Sequence, residues 1–308
     1  MEKIINIHSH IASYRSIPKQ FYDGWVRTIL SKARVEYSEL AANSVHNILK
    51  ASVDDDPLCD KLVAEMDKCN ISKTVLLTVD WGMAKGYDFP NLEDTYALHR
   101  DVLSRHPDRF IVFSTIDRRK GPIGLELFEK SIREYGFGGL KLYPPCGYSP
   151  SSDDFFDYFS ICSDHKLPVL THVGPSSSNL PFEFTAPGYI DGASLNFPDV
   201  NFILGHAGFT QYQEAALIAQ FRPNVYLDVS GFQDAYSKGT FRKIIHWHKE
   251  NQTLDKLVFG TDWPIHRRHS SMEQDVSAFK QLVEEGLITE DELKLIMYDN
   301  PAKLLNVN

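Results

Sequence analysis

Cysteine is scarce in this chain. Its 308 residues hold four, Cys59, Cys69, Cys146 and Cys162, and no two form a CxxC pair. That excludes a disulfide framework and a thiolate cluster, and the expected setting is reduced and cytoplasmic. Long apolar runs are missing as well. No stretch approaches the roughly 20 residues a membrane helix needs, and the opening "MEKIINIHSH" lacks the shape of a signal peptide. Positive charge is in deficit: 32 Lys and Arg stand against 41 Asp and Glu, a net charge of −9. Neither nucleic acid nor an anionic membrane is an expected partner of such a surface; a small-molecule substrate is. There is no internal repeat and no low-complexity segment. At 43% hydrophobic and 24% charged residues the composition is that of a globular protein.

Short β-rich apolar runs recur: "KIINI" (3–7), "KTVLLTV" (73–79), "RFIVFST" (109–115), "GGLKLY" (138–143), "LPVLTH" (167–172), "VNFILG" (200–205), "NVYLDV" (224–229) and "KLVFGT" (256–261). They barely alternate between apolar and polar, as strands buried on both faces do in parallel sheets covered by helices. Between them lie helical patterns. Leu125, Phe128 and Ile132 fall three and four apart, as do Phe155, Phe159 and Cys162, and Met272, Val276, Phe279 and Val283. Thr289 to Glu292 reads as a capping box, and Pro301 as the opening of a last short helix. Eight strands alternating with helices predict an α/β fold, a distorted (β/α)8 TIM barrel, in a single domain over 1–308. Residues 11–72 are too long for one strand-to-helix connection. They read as a mainly helical insertion after the first strand, an inserted cap.

Two histidines end the first run. His8 and His10 are two apart on a strand and so share a face. Two buried imidazoles each need a partner: a metal ion serves both, and a hydrogen-bonded pair or an exposed strand end are the alternatives. In such barrels the active site lies at the C-terminal ends of the strands. Lys141 and Tyr143 end the fourth run, His172 the fifth, His206 the sixth and Asp262 the eighth. His8, His10, His172 and Asp262 form a ligand set for one divalent metal, with room for a water. Zinc is the first choice, with manganese, iron and cobalt as alternatives.

The segments "NIHSH" (6–10), "HPDRF" (106–110), "GGLKLYPP" (138–145), "THVG" (171–174), "GHAG" (205–208), "FGTDWP" (259–264) and "NPAKLL" (300–305) run in one order along the chain. In them the chain resembles the amidohydrolase superfamily, in the amidohydrolase 2 branch that includes aminocarboxymuconate semialdehyde decarboxylase and related aromatic-acid decarboxylases. The resemblance implies a distorted barrel with a mononuclear metal on His8, His10, His172 and Asp262, His206 beside the metal-bound water, and a homodimer. Asn6 departs from it, standing where the family has Asp two residues before the first ligand histidine. In binuclear members a lysine ending the fourth strand is carboxylated and bridges two metals; in this branch Lys141 is expected instead as a charged or hydrogen-bonding group near the pocket.

The function implied is a metal-dependent hydrolase acting on an amide, ester or lactone of a small carboxylated substrate, with Asp262 as the proton-transferring group and His206 orienting water or stabilising charge. The alternative is a metal-dependent non-oxidative decarboxylase of an aromatic or unsaturated carboxylic acid, in which His206 moves protons. Some decarboxylases of the branch carry glutamate at the first position, and His8 here tilts the balance toward hydrolysis. A more remote alternative is a barrel without catalysis that serves as a binding protein. Expected substrate contacts are Lys141, Tyr143, Trp81, His266 and Arg267, with Arg118, Arg119 and Arg268 as further loop cations. The aromatic residues Tyr14, Phe21, Tyr22 and Trp25 of the insertion either roof the pocket or form a dimer contact.

Overall fold

Each apolar run becomes one strand because its two faces meet two different apolar surroundings. The computed structural model describes residues 3–87, 91–231, 233, 235, 239–267 and 269–307. Its strands are β1 (Ile4–Ser9), β2 (Ile71–Leu77), β3 (Phe110–Thr115), β4 (Gly139–Leu142), β5 (Val169–His172), β6 (Phe202–Gly205), β7 (Val225–Asp228) and β8 (Leu257–Val258). All eight pair in parallel in sequence order. The ring closes where β1 meets the chain just beyond β8: the Ile7 amide donates to the Phe259 carbonyl, the Asp262 amide to the His8 carbonyl, and Ser9 bridges Trp263. The expected TIM barrel is therefore the observed fold.

One parity of residues fills the lumen: Ile5, Ile7, Val75, Leu77, Phe113, Leu170, Ile203, Tyr226 and Val258 pack together, and Leu304 and Leu305 plug them at one end. The other parity, including Leu76, Val112, Leu140, Leu142, Val169, Phe202, Leu204 and Leu227, packs under the helices. This is why the runs show no polar alternation. It also sets the direction of the strand ends. His172 follows Leu170 by two and Asp228 follows Tyr226 by two, so both face inward.

The helices are α1 (Lys19–Lys32), α2 (Glu39–Val53), α3 (Asp60–Cys69), α4 (Leu92–Arg105), α5 (Gly121–Arg133), α6 (Phe156–Asp164), α7 (Asp191–Asn196), α8 (Tyr212–Phe221), α9 (Thr240–Glu250), α10 (Met272–Glu284), α11 (Glu290–Lys294) and α12 (Asn300–Leu305). Ser271 with Gln274 and Thr289 with Glu292 form capping boxes at α10 and α11. Residues 11–72 hold helices with two kinds of neighbour. Helices α1 and α2 pack on each other, whereas α3 packs on β2 and α10 like the other crossover helices. Pro301 stands in the first turn of the last short helix, α12, as expected. The chain runs from α11 into α12 through a π-helical turn, Leu295–Asp299, whose Ile296 carbonyl accepts from the Phe259 amide at 3.0 Å. That widened turn ties the last helix to the barrel wall.

Candidate active site

The mouth of the barrel gathers the polar strand ends. His10 Nδ1 donates to the Leu77 carbonyl at 2.9 Å, and His8 Nδ1 donates to Asp228 Oδ2 at 2.6 Å. Each imidazole therefore keeps its lone pair on Nε2. Both Nε2 atoms point at the same carboxylate oxygen, Asp262 Oδ1, from 3.4 Å and 3.5 Å. Three acceptors converging without a donor between them are an unfavourable arrangement unless a cation sits among them. His8, His10 and Asp262 thus fit a divalent ion, two nitrogens and one oxygen being a common donor set for one. His172 stands apart from this trio. Its Nε2 lies 3.1 Å from the Gly174 carbonyl, while its ring packs on those of Tyr143 and His206.

Burial sets the protonation of the site. Burial lowers His10 and His172, the latter far below its usual value, and it lowers His206 to about 4. Burial alone would raise Asp262, but the electrostatic influence of the surrounding imidazoles, His8 foremost, outweighs it and holds the carboxyl well below the usual range. At neutral pH His10, His172 and His206 are neutral imidazoles around the Asp262 carboxylate, the protonation state a divalent ion requires. His206 and Asp262 both sit at positive φ, +66° and +53°, a strained backbone for side-chain-bearing residues and one that concentrates at functional sites.

The cluster opens into a cavity of about 290 Å³. His10, His172, His206, Asp262 and His266 line one side of the chemistry, and Phe21, Trp25, Trp81, Tyr143, Ile17 and Ile265 are among the apolar lining. Phe21 and Trp25 come from α1, so this helix contributes directly to the cavity wall. It is fastened there by the loop after β5: the Ser177, Ser178 and Asn179 side chains donate to the carbonyls of Phe21, Gly24 and Gln20, and the Trp25 indole donates to the Ser176 carbonyl. The Tyr143 and Ser176 hydroxyls are hydrogen-bonded to each other on the wall. The Trp81 indole donates to the Ser16 carbonyl at 3.1 Å and its ring stacks on Tyr87.

Among the substrate contacts expected from sequence, Trp81, Tyr143 and His266 line this cavity, and His266 Nε2 lies 3.6 Å from Asp262 Oδ2. Arg267 does not reach it. Its guanidinium is bonded to Asp55 at 2.6 Å and to the Ser52 carbonyl, and lies over the Trp263 ring. Arg118 pairs with Asp154 and Arg119 with Asp117 and the Cys146 carbonyl, also away from the cavity. Arg268 lies outside the described residues. Lys141 is in the barrel interior but is fully buried, off the cavity lining, and its Nζ has no hydrogen-bond partner among the described residues. Burial lowers it to about 7. The sequence reading missed Asp228, which takes His8, Ser230 and the His206 amide on one carboxylate oxygen. The signal was present in "YLDVS", an acidic residue ending the seventh strand on the inward parity.

A parallel eight-stranded barrel with a buried histidine–aspartate cluster at its strand ends defines a class of barrel enzymes. Residues 83–307 match the family model described as Amidohydrolase, and the chain belongs to this family. Among curated proteins it is 20% identical over 247 residues to decarboxylase orsB of Emericella nidulans, covering 66% of this chain and 71% of that protein. It is 25% identical over 95 residues to protein fluG of the same organism; that match spans only 11% of fluG and 31% of this chain. Among solved structures it superposes on 5-carboxyvanillate decarboxylase of Sphingomonas paucimobilis with a TM-score of 0.66 at 14% identity, covering 99% of each chain. A probable 2-pyrone-4,6-dicarboxylic acid hydrolase of Acinetobacter baumannii gives 0.63 at 17%, covering 99% of this chain and 100% of that one. The 5-carboxyvanillate decarboxylase of Novosphingobium aromaticivorans, complexed with manganese and a nitrobenzoic acid, gives 0.65 at 16%, covering 99% and 96%. At these identities the common property is the fold. It carries decarboxylases and hydrolases alike, and the family together with the manganese-bound structure supports a divalent metal here.

Proposed function

We propose that the protein is a divalent-metal-dependent, non-oxidative decarboxylase of a small aromatic monocarboxylic acid. The observation that carries this reading is the cavity wall. It is built of rings, is small for a ligand site (the usual range is about 300–1,000 Å³) and has no lysine or arginine among its described lining residues. A flat ring fits between Phe21, Trp25, Trp81 and Tyr143. Among the described lining residues a second carboxylate on that ring would meet no side-chain cation, which disfavours a dicarboxylate and with it the substrate class of the hydrolase of the same fold.

The ion, zinc or manganese, is held in this reading by His8, His10 and Asp262, with His172 close by. Bound there, it would supply positive charge that offsets negative charge on the substrate. The chain's own residues do the rest. Asp262 lines the cavity within 3.6 Å of three imidazole nitrogens and is the group placed to pass a proton to the ring carbon that bears the carboxylate. Its carboxyl is held ionised in the empty site, so the proton it passes on is one it takes up with the substrate. The carbon gains the proton, the bond to the carboxylate breaks, its electron pair returns to the ring, and carbon dioxide leaves. Asp262 regains its proton from solvent as each new substrate enters. The aromatic roof keeps bulk water from competing.

The test is a panel of hydroxybenzoic acids and small lactones with the zinc- and manganese-loaded protein. Carbon dioxide release is expected, with one deuterium at the vacated ring carbon in heavy water, and dicarboxylic analogues should be at least tenfold poorer. Asp262→Asn should retain the fold and lose about 10²–10⁴-fold in turnover. Lactone hydrolysis without carbon dioxide release would establish the hydrolase alternative instead.

A further inference from the structure

The buried group His8, His206 and Asp228 has the spacing of a second metal site, and its hydrogen bonds argue against one. Two ligands of one ion, each at about 2.0–2.2 Å from it, stand roughly 3 Å or more apart. His8 Nδ1 and Asp228 Oδ2 are 2.6 Å apart, and Ser230 Oγ is 2.6 Å from the same oxygen. Those are charge-assisted hydrogen bonds with protons in them.

Counting those protons fixes the rest. Asp228 accepts on Oδ2 from His8 Nδ1, from the Ser230 hydroxyl and from the His206 amide, and on Oδ1 from the Ser230 amide at 2.9 Å. The one proton of the Ser230 hydroxyl is thus used on Asp228. Ser230 Oγ also lies 2.9 Å from His206 Nδ1, and a hydroxyl whose proton is committed can only accept. His206 therefore carries its own proton on Nδ1 as well. The backbone makes room for this chain of bonds. A Cβ at Gly260 would stand 2.3 Å from Asp228 Oδ1 and 2.9 Å from His8 Cβ, and one at Gly231, where φ is +87°, would stand 3.0 Å from His206 Nδ1.

We propose that Asp228 and Ser230 are positioning residues that lock His8 and His206 in the Nδ1–H tautomer, leaving both Nε2 atoms as acceptors for what binds in the site. Asp228 acts on His8 directly, and Ser230 extends the same carboxylate's hold to His206. One anion thereby sets two imidazoles, one on β1 and one just beyond β6. The consequence for the ion rests on reading the His8, His10 and Asp262 trio as its site; the tautomers do not.

The experiment uses the full-length, metal-free protein labelled with ¹⁵N-histidine, and reads tautomers from long-range nitrogen–proton correlations at pH 7.5. The wild type is expected to show Nδ1–H at both His8 and His206. Ser230→Ala should leave His8 unchanged and turn His206 into a mixture; Asp228→Asn should release both. Zinc alone is then titrated against a chromophoric chelator. Asp228→Asn should weaken it 10–100-fold, the usual effect of losing a carboxylate behind a histidine ligand, and Ser230→Ala should stay within threefold of wild type. An Nε2–H tautomer at either histidine in the wild type, or an unchanged His206 in Ser230→Ala, overturns the proposal, and the second result decides even if Asp228→Asn does not fold. The stated tautomers in a wild type that binds no zinc would uphold the relay and sink the metal reading alone.

Discussion

Lys141 shows at the scale of one residue how stability is surrendered at the mouth of this barrel. Its neighbours Leu140 and Leu142 pack outward, so strand parity drives the lysine into the lumen, where its ammonium has lost water and gained no hydrogen-bond partner among the described residues. Burial moves it from 10.5 to about 7. Below pH 10.5 the unfolded chain holds a proton that the folded chain binds only near pH 7. The penalty is therefore absent above pH 10.5, grows as pH falls, and is full at and below pH 7, about 5 kcal/mol at about 1.4 kcal/mol per unit. Lys141→Met keeps the length of the side chain and removes the charge. It should raise stability by about 2–4 kcal/mol at pH 7, seen as a higher midpoint in urea, with little gain at pH 10.5. An unchanged midpoint at pH 7 would mean that the amine has a partner in solution. The same scale shows what could be read beforehand. His8, His10 and Asp262 were legible because their types and their strand ends are both local properties. Arg267, Arg118 and Arg119 were not, because the acids that hold them, Asp55, Asp154 and Asp117, are in two of the three cases brought up by tertiary contact. Asp228 obeys the inward parity at the end of β7, so its place is a local property too.

Elements were more legible than side chains. Eight strands with apolar residues on both faces have a single economical arrangement once helices alternate with them, and the register follows. What the pattern could not give is where α1 would settle, since that depends on contacts with residues some 150 positions away. Gly24 is the point of closest approach. A Cβ there would meet Ser177 Oγ at 2.0 Å and the Ser178 amide nitrogen at 3.0 Å. In an open helical site Gly→Ala stabilises by up to about 1 kcal/mol. At Gly24 the sign should reverse. The hydroxyl can rotate away only by giving up its bond to the Phe21 carbonyl, and the backbone amide cannot rotate at all. Gly24→Ala should lift Phe21 and Trp25 from the cavity, raising KM several-fold with a smaller change in kcat, and lower Tm. A variant with a higher Tm and unaltered KM would show that α1 takes no part in the closed cavity.

The whole molecule carries an acid-sensitivity that does not depend on the reaction. His99 on α4 and His248 on α9 are buried away from the cavity lining, and burial lowers each to about 4. Among the described residues His99 donates only to its own helix, at the Thr95 carbonyl, whereas His248 joins α9 to the Gly208 carbonyl beyond β6 and to Thr253. Both are neutral in the folded protein at pH values where the unfolded chain is already protonated. A depressed histidine pKa gives stability that is fully present above about 6.5 and is lost as pH falls toward about 4, because the unfolded state binds more protons throughout that window. Each histidine should remove about 1.4 kcal/mol per pH unit there, reaching about 3 kcal/mol near pH 4. Tm should therefore fall steadily between pH 6.5 and 4.5, before most carboxylates titrate. His99→Leu leaves a neutral side chain of similar bulk in an apolar place and should flatten that slope by one histidine's share, while the wild-type and variant curves run parallel above pH 7. Because the comparison is between two slopes, a general loss of packing in the variant would lower its curve without changing the difference sought. A variant slope equal to that of the wild type would mean that His99 takes up its proton in the folded state, and that the helical layer around it opens to water well before the barrel unfolds.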